Sequence, residues 1–310
     1  MNLLITGALG HIGSGLIEKL EKIKKLNNIY LLDSARSNNL HVLFNLKAKK
    51  KKFKFLFEDL NNKDSLNSID KKIDVIVHLA AITNAEKSFK NKKLLFKNNL
   101  GIFKKIVKFC IKNNTKLIHL STTSVYGYST KIVDENFKDL KPRSPYAEEK
   151  LIEENYLKRF KKLKFITLRL GTISGISKGM RFHTAVNKFC LYTILGYEIP
   201  VWTNALKQHM PYCSLKDALN AIIFIINKKK FDSQTYNVLT KNYTVDEILK
   251  MIRSNNFKFQ IKKTSTPILN QSFYGVSNKK FSKFKVKMSK GIEKDITETL
   301  NLLKKLYTNL

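Results

Sequence analysis

Short apolar runs alternate with longer amphipathic stretches through the first half of the chain. NLLIT (2–6), IYLLD (29–33), FKFLF (53–57), DVIVHLA (74–80), KLIHLS (116–121) and FITLRL (165–170) read as strands. Between them IGSGLIEKLEKI (12–23), LGIFKKIVKFCIKN (100–113) and YAEEKLIEENYLKRF (146–160) carry helical periodicity. A strand–helix–strand rhythm of this kind predicts an α/β fold built on a doubly wound parallel sheet. After Gly171 the rhythm loosens, with longer connections around SGISKGM and NALKQHMPY and helices expected at 215–227 and 244–254. That pattern predicts a smaller second domain, with the division at 1–170 and 171–310.

The first strand runs into TGALGHIGSG, where Gly7, Gly10 and Gly13 open a helix. Glycines there permit a tight turn and let backbone N–H groups approach a pyrophosphate at the positive end of the helix. The spacing is GxxGxxG, not the GxGxxG of the dinucleotide fingerprint. Asp33 ends the second strand, where a carboxylate accepts hydrogen bonds from an adenosine ribose and repels a 2′-phosphate. NAD is therefore favoured over NADP, with Arg36 nearby as the one residue that keeps NADP open.

A second constellation follows. In SPYAEEK (144–150), Pro145 suits the first position of a helix, so Tyr146 and Lys150 share a helical face. An ammonium beside a phenol favours the phenolate, which is a base for a hydroxyl proton. Lysine is so abundant that such pairs also recur by chance, as at Tyr212 and Lys216. Upstream, HLSTTSVYG (119–127) is a strand that empties into hydroxyl residues, at the end of a parallel strand where ligands bind. One hydroxyl, one phenol and one ammonium are thus expected to converge.

Composition changes the picture in one respect. Lys and Arg total 58 against 24 Asp and Glu, a formal charge of +34, which invites a polyanion partner. Most of it is lysine, whereas base readout favours arginine, and the lysines are spread along the chain. No specific nucleic acid partner is expected, although KAKKKKFKF (47–55) is the densest basic run. The N-terminus has no charged region before its apolar stretch and does not read as a signal peptide. No apolar run reaches the roughly 18 residues of a membrane span. Three widely spaced cysteines without a CxxC point to a reduced cytoplasmic protein with no metal site.

Together these motifs resemble the short-chain dehydrogenase/reductase superfamily, and within it the extended branch of NAD-dependent epimerases and dehydratases acting on nucleotide sugars. The resemblance rests on TGxxGxxG at 6–13, Asp33, EDL at 58–60, HLAA at 78–81, STTSVYG at 121–127, YxxxK at 146–150 and LRLGTISG at 168–175. It implies a Rossmann-type domain followed by a substrate-binding domain. It implies Tyr146 as catalytic base, Lys150 lowering its pKa and holding the nicotinamide ribose, and Thr122 hydrogen-bonding the reacting hydroxyl. For the cofactor it implies Gly7, Leu9, Gly10, His11, Ile12, Gly13 and Asp33, then Asp59 and Leu60 at the adenine, Leu79, Ala80 and Ala81 along the cofactor, Asn99 on the following helix, and Tyr146 with Lys150 at the ribose. Thr83, Thr123, Thr172 and Arg181 are the candidates for the substrate.

The resemblance breaks in the second half. Where relatives show Asn-Val-Tyr-Gly-Pro, this chain has Thr172, Ile173, Ser174, Gly175 and Ile176, and Met210 stands where an arginine commonly binds the nucleotide pyrophosphate. In dehydratases of the family, an aspartate and a glutamate follow the threonine equivalent to Thr122; here they are Thr123 and Ser124. The expectation is NAD-dependent epimerisation of a nucleotide-activated sugar by transient oxidation. A dehydratase or 4-keto-sugar reductase on the same scaffold, or a non-catalytic NAD(H)- or polyanion-binding protein, are the competing readings. A homodimer is left open.

Overall fold

The structure is a computed structural model that describes residues 1–21, 23–44, 52–84, 88–202, 206–264 and 275–307. Lysines 47, 49, 50 and 51 of the basic run lie outside the described residues.

Seven parallel strands form the central sheet: β1 (Leu3–Thr6), β2 (Ile29–Asp33), β3 (Phe53–Phe57), β4 (Val75–His78), β5 (Lys116–Thr122), β6 (Phe165–Leu170) and β10 (Thr235–Val238). Their spatial order is β10-β6-β5-β4-β1-β2-β3. The chain therefore winds outward from β1 in both directions, and Leu3 pairs with Ile29 on one side and Val75 on the other. The crevice beyond the strand ends at such a reversal is where ligands bind in doubly wound sheets.

Successive side chains of a strand point to opposite faces, and β1 feeds two cores in this way. Leu3 and Ile5 pack with Leu16, Ile17 and Leu20 of α1 (His11–Leu20) and with Ala218, Ile222 and Ile225 of a helix at Leu215–Lys228. Leu4, on the other face, packs with Phe103, Ile106 and Val107 of α2 (Lys92–Asn113) and Leu157 of α3 (Pro145–Leu157). The remaining elements surround a third cluster. There α4 (Ala185–Leu195), α6 (Val245–Arg253) and the last long helix, Glu293–Tyr307, pack on two small sheets, β7 (Thr172–Ser174) with β9 (Met210–Ser214) and β11 (Lys241–Tyr243), and β8 (Ile199–Trp202) with β12 (Ile261–Thr264). The helix Leu215–Lys228 is α5 in this order.

The expected division at residue 170 is crossed twice. Strand β10 returns to pair with β6, and α5 covers the same sheet face as α1. Three boundaries also shift. The helix expected at 12–23 ends at Leu20, the one expected at 146–160 spans Pro145–Leu157, and the one expected at 100–113 begins at Lys92. Asn98 and Asn99 are poor helix formers, which hid the first turns of α2; both are buried and hydrogen-bonded there. Among the described residues no helix is long and apolar enough to cross a membrane. Cys110, Cys190 and Cys213 are free and buried.

Candidate active site

The glycine turn is forced by close backbone approach. Gly7 has φ +69°, and a Cβ on it would lie 2.6 Å from the Ala80 nitrogen. A Cβ on Gly13 would lie 2.5 Å from the Ala8 carbonyl oxygen. Thr6 Oγ1 meets His78 Nδ1 at 2.8 Å, which ties the turn to the end of β4, where Leu79, Ala80 and Ala81 follow. Helix α1 starts at His11 with Gly10 before it, no side-chain cap and no acidic residue in its first turn. Its positive end is thus left for an external anion, with Leu9, Ile12 and Gly13 around it.

Asp33 accepts from the Leu9 amide at 2.9 Å and the Ala35 amide at 2.8 Å. Each carboxylate oxygen has two lone pairs, so both retain capacity for ribose hydroxyls. Arg36, the residue that kept NADP open, is paired with Asp59. Asp59 also accepts from the Asn61 amide, and the Leu60 carbonyl accepts from Lys105 Nζ at 2.6 Å. These features fit NAD: a capless helix end for pyrophosphate, a strand-end carboxylate for ribose, and an engaged arginine. We expect Gly7→Ala to abolish detectable NAD binding and to destabilise the fold by more than the roughly 1–2 kcal/mol of left-handed backbone strain alone, as read by cofactor titration and thermal unfolding.

The segment after β7 is fastened onto this turn. His11 Nε2 donates to the Gly175 carbonyl at 2.8 Å, Ser177 Oγ donates to the His11 carbonyl at 2.9 Å, and the Gly179 amide donates to Ser14 Oγ at 2.9 Å. Burial holds His11 down to about 4, so the imidazole is neutral at physiological pH. The segment delivers Arg181, whose Nη1 donates to Thr83 Oγ1 at 2.6 Å and whose Nη2 would touch a Cβ on Gly10 at 3.4 Å. Arg181 thus lies over the cofactor turn, whereas the sequence placed it with the substrate. Thr172 begins β7 and is half-buried. Met210 packs partly buried in the third core.

Helix α3 carries the chemistry. Ser144 caps it by accepting from the Ala147 amide at 3.2 Å, with Pro145 in its first turn, so Tyr146 and Lys150 fall one turn apart as expected. The helix packs on the end of β5 and on the 3-10 turn Thr123–Tyr126. Thr122 Oγ1 accepts from the Ser124 amide at 3.1 Å, leaving its own proton and a lone pair for a ligand. Thr123 is buried and donates to the Leu170 carbonyl at 3.2 Å, so its hydroxyl proton is engaged within the protein. Asn99 is buried, accepting from the Ile82 amide at 2.9 Å and donating to the Ile82 carbonyl and to Glu149.

Lys150 is buried and donates to Glu153 Oε2 at 2.6 Å, with Glu149 Oε2 at 3.9 Å. Its pKa is raised because Glu149, Glu153 and Tyr146 together outweigh burial, the largest single effect. It is a permanent cation here. The family resemblance implies that Lys150 lowers the pKa of Tyr146, and it does act in that sense. Burial, however, pushes the phenol up first, Glu149 and Glu153 add to the rise, and the net result is a tyrosine above its ordinary value.

Nothing in the motif spacing revealed the carboxylates. Glu149, Glu153 and Glu154 lie on the buried side of α3, where an apolar pattern is the rule. Glu154 binds Arg169 through two contacts, Nε at 2.9 Å and Nη2 at 2.6 Å, and accepts from Ser121 Oγ at 2.6 Å. Three glutamates at core-facing positions in EEKLIEE were the available signal.

A glycine-turned crevice, a hydroxyl at a strand end and a Tyr/Lys helix define a dinucleotide-dependent enzyme site on a Rossmann-type sheet. The model of the NAD dependent epimerase/dehydratase family matches residues 3–238, and the chain belongs to that family, with NAD as its cofactor. It is similar to an uncharacterised UDP-glucose epimerase of Bacillus subtilis, 31% identical over 252 residues, 77% of this chain and 76% of that protein. Among solved structures it resembles a UDP-N-acetylglucosamine 4-epimerase of Methanobrevibacter ruminantium in complex with UDP-N-acetylmuramic acid, with TM-score 0.83, 25% identity and coverage of 100% and 99% of the two chains. The UDP-glucuronic acid 4-epimerase of Bacillus cereus, bound to UDP-glucuronic acid and NAD, shares the fold at TM-score 0.87, 23% identity and coverage of 99% and 100%.

Proposed function

We propose that this enzyme epimerises a UDP-activated hexose at C4, with Tyr146 as the acid/base and the cofactor unchanged over the cycle. NAD supplies the acceptor and donor of the hydride. Tyr146 takes the proton of the sugar hydroxyl and later returns it, helped by the fixed charge of Lys150. A positioned base of this kind typically contributes about 10²- to 10⁴-fold. On this reading Thr122 orients the reacting hydroxyl, and Arg181, which is bonded to Thr83 and lies beside Gly10, serves the bound molecules together with Thr83 and Thr172. The sugar nucleotide is inferred from the relatives, three of which carry a UDP-sugar epimerase name.

The observation that carries this reading against dehydration is the pair Thr123 and Ser124. Elimination of water needs a proton donor to the leaving hydroxyl and a base for the neighbouring carbon. Neither residue ionises near neutral pH, and Thr123 is already bonded to the Leu170 carbonyl. Of the glutamates on α3, Glu149, Glu153 and Glu154 are buried among Lys150, Asn99, His119 and Arg169, and Glu148 is paired with Lys92. An incubation with UDP-glucose, UDP-N-acetylglucosamine and UDP-glucuronic acid tests the reading by separation of the products. The C4 epimer of one of them is expected, without net NADH; a product lighter by one water would replace this reading with dehydration.

A further inference from the structure

Glu149 and Glu153 have no part in the chemistry just described, yet they are fully buried beneath it. They stand four residues apart on α3, so their side chains are neighbours on one helix face, where two negative charges would repel. Their outer contacts are accounted for. Glu153 Oε2 accepts from Lys150 Nζ at 2.6 Å and from His119 Nε2 at 2.9 Å. Glu149 Oε2 accepts from Asn99 Nδ2 at 3.3 Å. His119 is held down to about 3, first by burial and then by Lys150, so it is neutral and adds no charge; its Nδ1 meets Thr167 Oγ1 at 3.2 Å.

The other oxygen of each carboxyl, Glu149 Oε1 and Glu153 Oε1, is buried without a hydrogen-bond donor among the described residues. Two adjacent carboxyls, each with one orphaned oxygen, satisfy each other if they hold a proton between them. Two ionised carboxylates with one lysine would instead leave a net negative charge in a buried site, which is costly unless paired. One proton makes the cluster neutral.

We propose that Glu149 and Glu153 share a single proton and form with Lys150 a charge-neutral buried triad, which positions the ammonium beside Tyr146. The two glutamates are positioning residues for the reaction proposed above, and on that reading they also tune it. Burial and the adjoining Glu153 push Glu149 up to about 8, against the pull of Lys150 and Asn99. Loss of the shared proton near that pH adds a second negative charge beside the phenol. The other groups facing the triad are Tyr146 and Glu154 on α3, His119 on β5, His78 on β4 and Arg181 from the segment after β7. His78, like His119, is held well below its ordinary value by burial and then by Lys150, so neither histidine changes charge in that range.

Ionisation of Glu149 opposes the behaviour of an ordinary base. A tyrosine base alone gains about tenfold in phenolate, and so in turnover, for each pH unit below its pKa, whereas ionisation of Glu149 raises the phenol further. The protonated fraction of Glu149 falls as fast as the phenolate rises, so turnover should level off above the transition. Glu149→Gln, which keeps the shape and the hydrogen bond to Asn99 but cannot ionise, should go on rising through that range.

Infrared titration of the NAD-loaded enzyme tests the proposal without any sugar, so a wrong substrate assignment does not affect it. A carboxylic acid carbonyl band should persist at neutral pH and disappear with a midpoint near about 8, and Glu149→Gln should lack that transition. No protonated carboxyl at pH 7 in the unaltered enzyme, or an unchanged transition in Glu149→Gln, overturns it. The first of these outcomes needs no variant to fold.

Discussion

Tyr146→Phe leaves a protein that retains its NAD and turns over at least about a hundredfold more slowly, the lower bound for removing a positioned acid/base. The ring keeps its place in the first turn of α3 because Ser144 and Pro145 set that turn through the backbone. Cofactor retention is expected because the glycine turn, Asp33 and the start of α1 lie on other elements. The loss is therefore confined to the proton transfer. Quantifying NAD released on denaturation, beside steady-state rates with the accepted sugar nucleotide, separates the two effects. A wild-type rate would remove Tyr146 from the chemistry, and a loss of NAD would move its role to binding.

Arg169→Met produces the largest expected change in stability, about 3–5 kcal/mol, the range for breaking a buried ion pair by removing one partner. Arg169 and Glu154 are both buried, and their two-point contact is reinforced by Ser121. The guanidinium also lies 4.8 Å from the centre of the Tyr126 ring. Without it, Glu154 keeps a charge that, among the described residues, the Ser121 hydroxyl alone serves by a hydrogen bond. Replacing both partners, Arg169→Met with Glu154→Leu, should recover much of the loss, since a matched apolar pair often equals a buried ion pair. Urea unfolding of the three proteins decides it. A single-variant loss below about 1 kcal/mol, the size of an exposed pair, would show that water reaches this site.

The inner strands were legible because parallel strands buried on both faces appear as apolar runs: Leu3–Thr6, Ile29–Asp33 and Val75–His78 fall where the pattern puts them. The glycine turn and the Tyr146/Lys150 turn were legible because local geometry demands particular residues at fixed spacing. Other parts depend on contacts between distant segments. Strand β10 contains TYNV, too short and too mixed to announce itself, and it becomes a strand by pairing with β6. Asn99 is explained only by the loop at Ile82 that it holds. Arg181 was recognisable as an important cation, but its place over Gly10 follows from Ser14, His11 and Ser177, bonds that span more than 160 positions. The same is true of the sign of the Tyr146 shift. A lysine one turn away predicts a lower pKa, and burial first, then the buried glutamates on the same helix, reverse it.

Hydride return at a single carbon is tested most directly by a substrate deuterated at C4, with UDP-glucose as the first choice. Incubation in ordinary water should give the C4 epimer with its deuterium retained at C4, and the converse incubation of unlabelled substrate in D₂O should place no deuterium on carbon. Loss of the C4 label to solvent, or deuterium from D₂O at a neighbouring carbon, would contradict the return of the same hydride by an unconsumed cofactor.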